Sequence, residues 1–88
     1  MTMDDSIRMD LAGYDQAYIH EVLTTFIEMA PNYGRVLIEI WMSGMMLDRL
    51  EIERGSDGAF FKGVPVKVWN TGFDETLEVI FGPVPQHH

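Results

Sequence analysis

His20 is the one histidine in the interior of the chain, and imidazole is the side chain most often used as a general acid or base near neutral pH. Such a ring needs a carboxylate partner to orient it. Helical spacing from His20 brings Thr24 to the same side one turn later, and no Asp or Glu, so His20 reads as a residue of a polar helix face. The neighbouring carboxylates Glu51 and Glu53, and Asp74 and Glu75, could work as an acid–base pair only inside a cleft. In a loop or on a solvated face they are solvating charges. Asp57-Gly58 lacks the remaining ligands of a calcium loop. The chain has no Gly-x-Ser-x-Gly elbow, phosphate-binding glycine loop or His-Glu-x-x-His pattern. Without cysteine there is no disulfide, thiolate metal site or cysteine nucleophile. The expectation is therefore a protein that is not an enzyme, with no catalytic residue, cofactor or metal site.

Charge and aromatic placement point to binding instead. Fourteen acids against six bases give a net charge of −8, and residues 1–30 hold six acids and one base. Direct contact with nucleic acid needs clustered Lys and Arg, so it is not expected. An acidic surface suits a basic partner, including one that itself binds nucleic acid. Asp4, Asp5, Asp10 and Asp15 lie in or beside an N-terminal arm, and Glu21 and Glu28 lie on the helix after it. If the arm packs back, these six form one negative surface; otherwise they make an acidic tail that serves solubility. Trp41 and Trp69 are the aromatic candidates for a contact centre, with Phe61 and Tyr33 behind them. Both tryptophans fall on the second face of their strands. That face is a partner-binding patch if no helix covers it, and ordinary core if one does.

The elements that must position these residues form a single small domain of 88 residues, with residues 1–13 expected as an acidic arm ended by Gly13. Asp15 is a good N-cap for an amphipathic helix over 16–30, in which Ile19, Val22, Leu23, Phe26, Ile27 and Ala30 make one apolar stripe. Pro31 and Gly34 end it. RVLIEIWM alternates as a strand over 35–42, with Val36, Ile38, Ile40 and Met42 on one face. WMSGMMLDRLEIERG, residues 41–55, has two readings. Ser43 can cap a short helix over 43–54 that buries Met46, Leu47 and Leu50. Alternatively, Ser43-Gly44 can be a tight turn leading into a strand. In the second case Asp48 would share a face with Met46, Leu50 and Ile52, which favours the helix. Residues 59–69 read as one strand, placed at an edge or bulged because Pro65 has no N–H to donate. Residues 76–82 read as its antiparallel hairpin partner. The expected fold is α+β, with a small antiparallel sheet of three to four strands over 35–42, 59–69 and 76–82. Its core is Ile19, Val22, Leu23, Phe26, Val36, Ile38, Ile40, Leu50, Val64, Val66, Val68, Leu77, Val79 and Phe81.

At 47% hydrophobic and 23% charged residues, the composition is that of a globular protein. Seven methionines suit either an irregular core or an adaptable contact surface. No stretch reaches the length of a membrane span, and the N-terminus is acidic where a signal peptide would be basic and then apolar. A cytoplasmic protein with no membrane contact is expected. A strand ending in Trp-Met-Ser, a segment with Leu-Asp-x-Leu, a Gly-Ser-Asp-Gly loop, FFKGVPVKV and a closing VIFGPV follow one another over residues 35–84. This order resembles the late peripheral-domain segment of tailed-phage major capsid proteins. The long spine helix and extended loop of that family are missing here. The resemblance implies a small phage or prophage accessory protein and transfers no catalytic or ligand residue. The functional expectation is thus an acidic protein-binding module of phage type, which would occupy or inhibit a host protein in the host cytoplasm. The rival expectation is a structural subunit that acts by forming a homo-oligomer.

Overall fold

The computed structural model describes residues 5–52, 54–69 and 75–84. Two helices pack on one face of a six-stranded mixed sheet, in the chain order β1 (Asp5–Asp10), α1 (Gln16–Met29), β2 (Arg35–Ser43), α2 (Gly44–Arg49), β3 (Arg54–Gly55), β4 (Gly58–Phe61), β5 (Val64–Trp69) and β6 (Thr76–Pro83). The spatial order is β1-β6-β2-β5-β4-β3. β2 and β5 run parallel, and the other neighbouring pairs are antiparallel. The fold is α+β as expected, with a larger sheet.

Local chemistry sets both helices. Asp15 accepts a hydrogen bond from the Tyr18 amide at 2.8 Å, satisfying one of the orphan donors at the start of α1. Ile19 and Leu23 on its inward stripe are fully buried, and Phe26 and Ile27 pack at the margin of the core. The 3-10 turn Ala30–Tyr33 follows, and Gly34 at φ 73° ends it in the left-handed region. At the second helix Ser43, itself buried, accepts from the Met46 amide at 3.2 Å. Met46, Leu47 and Leu50 are buried, so the helical reading of WMSGMMLDRL is the observed one. The helix is shorter than 43–54, however. Glu51 turns left-handed at φ 55°, Ile52 donates to the Leu47 carbonyl at 3.3 Å, and the chain re-enters the sheet at Arg54.

The strands depart from expectation in four places, each for a physical reason. Residues 1–13 contain β1. Ile7 and Met9 face the helices while Ser6 and Arg8 face away, an alternation too short to stand out among Asp residues. Residues 59–69 are two strands, because Lys62 (φ 49°) and Gly63 (φ 86°) make a two-residue turn with both φ values positive. Pro65 therefore sits in an interior strand with no bulge at Gly63, and the ladder to β2 begins one residue later, at Val66. β6 is not the hairpin partner of β5; it inserts between β1 and β2. There its most apolar residues gain a neighbour on each side.

A β-bulge in β2 revises the core. Leu37 lies opposite Phe81 and Glu39 opposite Ile80, so Ile38 is the extra residue. The phase of the strand reverses there. Leu37, Ile40 and Met42 point inward, while Val36 and Ile38, both expected in the core, lie on the other face, Ile38 37% exposed. Val68 faces the helix side beside Gly44 at the start of the short α2 and is 46% exposed. Val22 and Phe26 are partly buried. Leu11, Ala30, Leu37, Met42, Ile52 and Phe61 join the core in their place.

Candidate functional site

The helices cover one face of the sheet, and among the described residues nothing packs on the other. That open face is built from Arg8 on β1, Glu78 and Ile80 on β6, Val36, Ile38, Glu39 and Trp41 on β2, Pro65, Lys67 and Trp69 on β5, and Phe60 on β4. Trp41 and Trp69 were placed on this face by alternation, and the structure brings them together. Their rings stack at 6.5 Å between centroids and 26° between planes. Trp41 donates its indole N–H to the Glu39 carboxylate at 3.0 Å. Glu39 and Trp41 lie two residues apart beyond the bulge and share this face by alternation. The Arg8 guanidinium lies 5.6 Å from the Trp69 ring centroid and pairs with Glu78 at 3.1 Å. The Trp69 indole N–H is buried, with no acceptor in reach among the described residues.

The face is apolar at its centre and balanced in charge, with Arg8 and Lys67 set against Glu39 and Glu78. The acidic residues that lie among the described residues take other positions. Asp15 caps α1, and Asp10 accepts from the Ala12 amide at 3.1 Å. Glu21 and Glu28 are exposed on α1, which packs on the opposite side of the sheet from the tryptophan pair. Asp5 begins β1, and Asp4 lies outside the described residues, as do Glu53 and Asp74. Asp10 and Asp15 thus cap local turns, and Glu21 and Glu28 lie on the helix side of the sheet, away from the tryptophan pair.

Sequence reading missed Ile38 and Ile80 as exposed-face residues, and Arg8 as the cation over Trp69. The signal for Ile80 was its alternation with Val79 and Phe81; for Ile38, behind a bulge, there was none.

The groups first weighed for chemistry are engaged otherwise. His20 donates from Nε2 to the Leu50 carbonyl at 3.0 Å, and its ring meets Phe61 edge to face at 5.2 Å, so it ties α1 to the end of α2 and to β4. Glu75 pairs with Arg49, which also donates to the Tyr14 carbonyl; Glu51 accepts from Gln16 at 3.2 Å. Among the described residues no group of three or more His, Asp or Glu could hold a metal ion, and no helix is long and apolar enough to cross a membrane.

No family model matches the chain, and no curated protein or solved structure shows significant similarity to it.

Proposed function

We propose that this protein is a non-enzymatic binding module that docks on another protein through the open face of its sheet. The stacked pair of Trp41 and Trp69 at the centre of that uncovered face carries the reading. Large aromatic side chains ringed by charged groups are the usual composition of a protein-contact centre, and Arg8 and Glu78 supply such a ring here. The net charge of −8 adds long-range steering towards a basic partner. An accessory role in a phage, directed at a host protein, continues to rest on the short motifs of residues 35–84. The second reading is self-association. It is favoured by the balanced charge of the open face, since two copies of a −8 chain meet with least repulsion on a surface that is not acidic.

Chemical crosslinking of the purified protein, alone and in a bacterial lysate, tests both readings against Trp41→Lys, a position that is partly buried. Under the first reading the wild type yields a discrete heterologous adduct that Trp41→Lys loses while its circular dichroism is unchanged. Under the second, the adduct is a dimer of the chain itself. Adducts equally abundant in wild type and variant would remove the open face from consideration.

A further inference from the structure

The two edges of the sheet are unlike. β3, at one edge, is two residues long, which blunts it against further pairing. β1, at the other, is six residues long and pairs with β6 along its whole length. Just beyond β1, in the same register, Leu11 donates to the Glu75 carbonyl at 3.0 Å. Hydrogen bonds in an antiparallel ladder alternate, so the residues of odd number bond to β6. Ser6, Arg8 and Asp10 consequently direct their backbone N–H and C=O groups outward, away from the sheet. This row can template one more strand.

A groove lies beside that edge, on the helix side. Ile7 of β1, Phe81 of β6 and Phe26 and Met29 of α1 form its walls, and Tyr33 and Arg35 close one end, enclosing about 420 Å³. Ile7 is 42% and Met29 44% exposed, so the groove opens outward. A second depression, lined by Tyr18, Glu21 and Val22, shares Thr25 and Phe26 with the first and continues it along α1. Its charged neighbours are two acids and one cation. Glu21 and Glu28 occupy the α1 stripe that contains Thr25, and Arg35 is among the lining residues beside Tyr33. Arg8 and Asp10 take no part, because the even-numbered residues of β1 place their side chains on the opposite face, where Arg8 meets Glu78 and Trp69.

We propose that the β1 edge and this groove form a binding site, separate from the tryptophan face, that takes an extended basic segment of a partner protein as an added strand. This backbone row, unpaired among the described residues, fixes the occupant's conformation. The groove fixes an apolar residue at every second position, since successive side chains of a strand alternate between faces and residues two apart are roughly 7 Å from each other. Glu21 and Glu28 favour Lys and Arg where the segment runs beside α1, and the net charge of −8 draws a basic segment towards the site. A second copy of the chain, adding its own β1, is disfavoured because two chains of net charge −8 repel each other.

Selection of random dodecapeptides in ribosome display, with Met29→Glu as the counter-selected groove-blocked protein, tests the site. Met29 is exposed, and an unchanged circular dichroism spectrum and melting temperature establish that the variant folds. The expected peptides alternate apolar residues with an excess of Lys and Arg. The best of them, made synthetically, should slow hydrogen exchange at the Ser6, Arg8 and Asp10 amides. It should bind about tenfold more weakly to the Glu21→Lys/Glu28→Lys protein, and lose binding when its backbone is N-methylated at alternate residues. The proposal is overturned by no enrichment over Met29→Glu, by acidic or unpatterned winners, or by exchange protection elsewhere. Protection of the three amides in the peptide-free protein, with light scattering at dimer mass, would assign the edge to a second copy and overturn it too. The Trp41→Lys protein should bind the peptide unchanged, so this site and the tryptophan face stand or fall separately.

Discussion

The two tryptophans differ in what their indole N–H groups do, and that difference has a measurable consequence. Trp41 donates to Glu39, whereas the buried Trp69 N–H has no acceptor among the described residues. A neutral hydrogen bond contributes about 0.5–1.5 kcal/mol, and an unsatisfied buried donor costs about 1–3 kcal/mol. Both rings lose comparable apolar area on replacement by phenylalanine. Trp41→Phe gives up a made bond, while Trp69→Phe removes an unmade one. We expect Trp41→Phe to destabilise by about 1–2 kcal/mol and Trp69→Phe by at least ~1 kcal/mol less, read as urea midpoints at equal m-value. Equal losses would mean that the Trp69 N–H finds an acceptor in solution. Trp69 would then be held by polar contacts as Trp41 is, and the open face would be more rigid than its stacking implies.

At the scale of elements, the turn at Lys62-Gly63 governs the topology. A two-residue hairpin with both φ values positive matches the right-handed twist of the strands it joins, and Asn-Gly is the pair that best tolerates it. Lys62 adopts the left-handed region against its preference. Lys62 is exposed, and Lys62→Asn should therefore stabilise the protein by about 0.5–1 kcal/mol, a fraction of the left-handed penalty for an ordinary residue. Equilibrium unfolding in urea checks this, and a loss of stability would show that the lysine stem packs on β4 or β5. The same turn marks where sequence reading stopped. Lys-Gly is a weak turn signal inside an apolar run, so β4 and β5 read as one strand in which Pro65 demands an edge or a bulge. Signals with a strong local cause survived: the Asp15 cap, the stripe of Ile19 and Leu23, the Ser43 cap of α2, and the shared face of Trp41 and Trp69. Those set by long-range pairing did not. The bulge that displaced Ile38 depends on β6 lying beside β2, and the incorporation of residues 5–10 as β1 depends on the far side of that same strand. Neither is encoded near the residues it affects. The candidate site was legible for its tryptophans and less so for their surroundings, because Arg8 and Glu78 reach the face through the pairing of β1 and β6, which lie far from the tryptophans in sequence.

Charge belongs to the whole molecule. Eight net negative charges are confined to a body with a radius of gyration of 13.3 Å, and unfolding lets them separate. Against this stand the ion pairs Arg8–Glu78, Arg49–Glu75 and Arg54–Asp48, which are partly or largely exposed; pairs of this kind contribute about 0–1 kcal/mol each. Salt weakens both effects, and the sign of its action on stability reveals the larger. For charges spread over a sphere of this size, raising the salt from roughly 0.01 to 0.15 M shortens the screening length from about 30 to about 8 Å. The repulsion falls by more in the compact state than in the expanded one, and we put the net stabilisation at about 1 kcal/mol. For a domain of this length that is a rise in melting temperature of roughly 4–8 °C. Sodium chloride serves as the salt because it changes apolar burial little over this range. A melting temperature that fell with salt would show that the three ion pairs outweigh the repulsion. Glu28→Lys separates the two effects further. Its carboxylate is exposed near the C-terminal end of α1, where a cation is also favoured by the helix dipole, so the variant should melt higher than wild type at low salt. With two units less net charge, it should also gain less from added salt. If its melting curve instead tracked wild type at every salt concentration, the acidity of this chain would have no bearing on its folding and would be left to act on its partners.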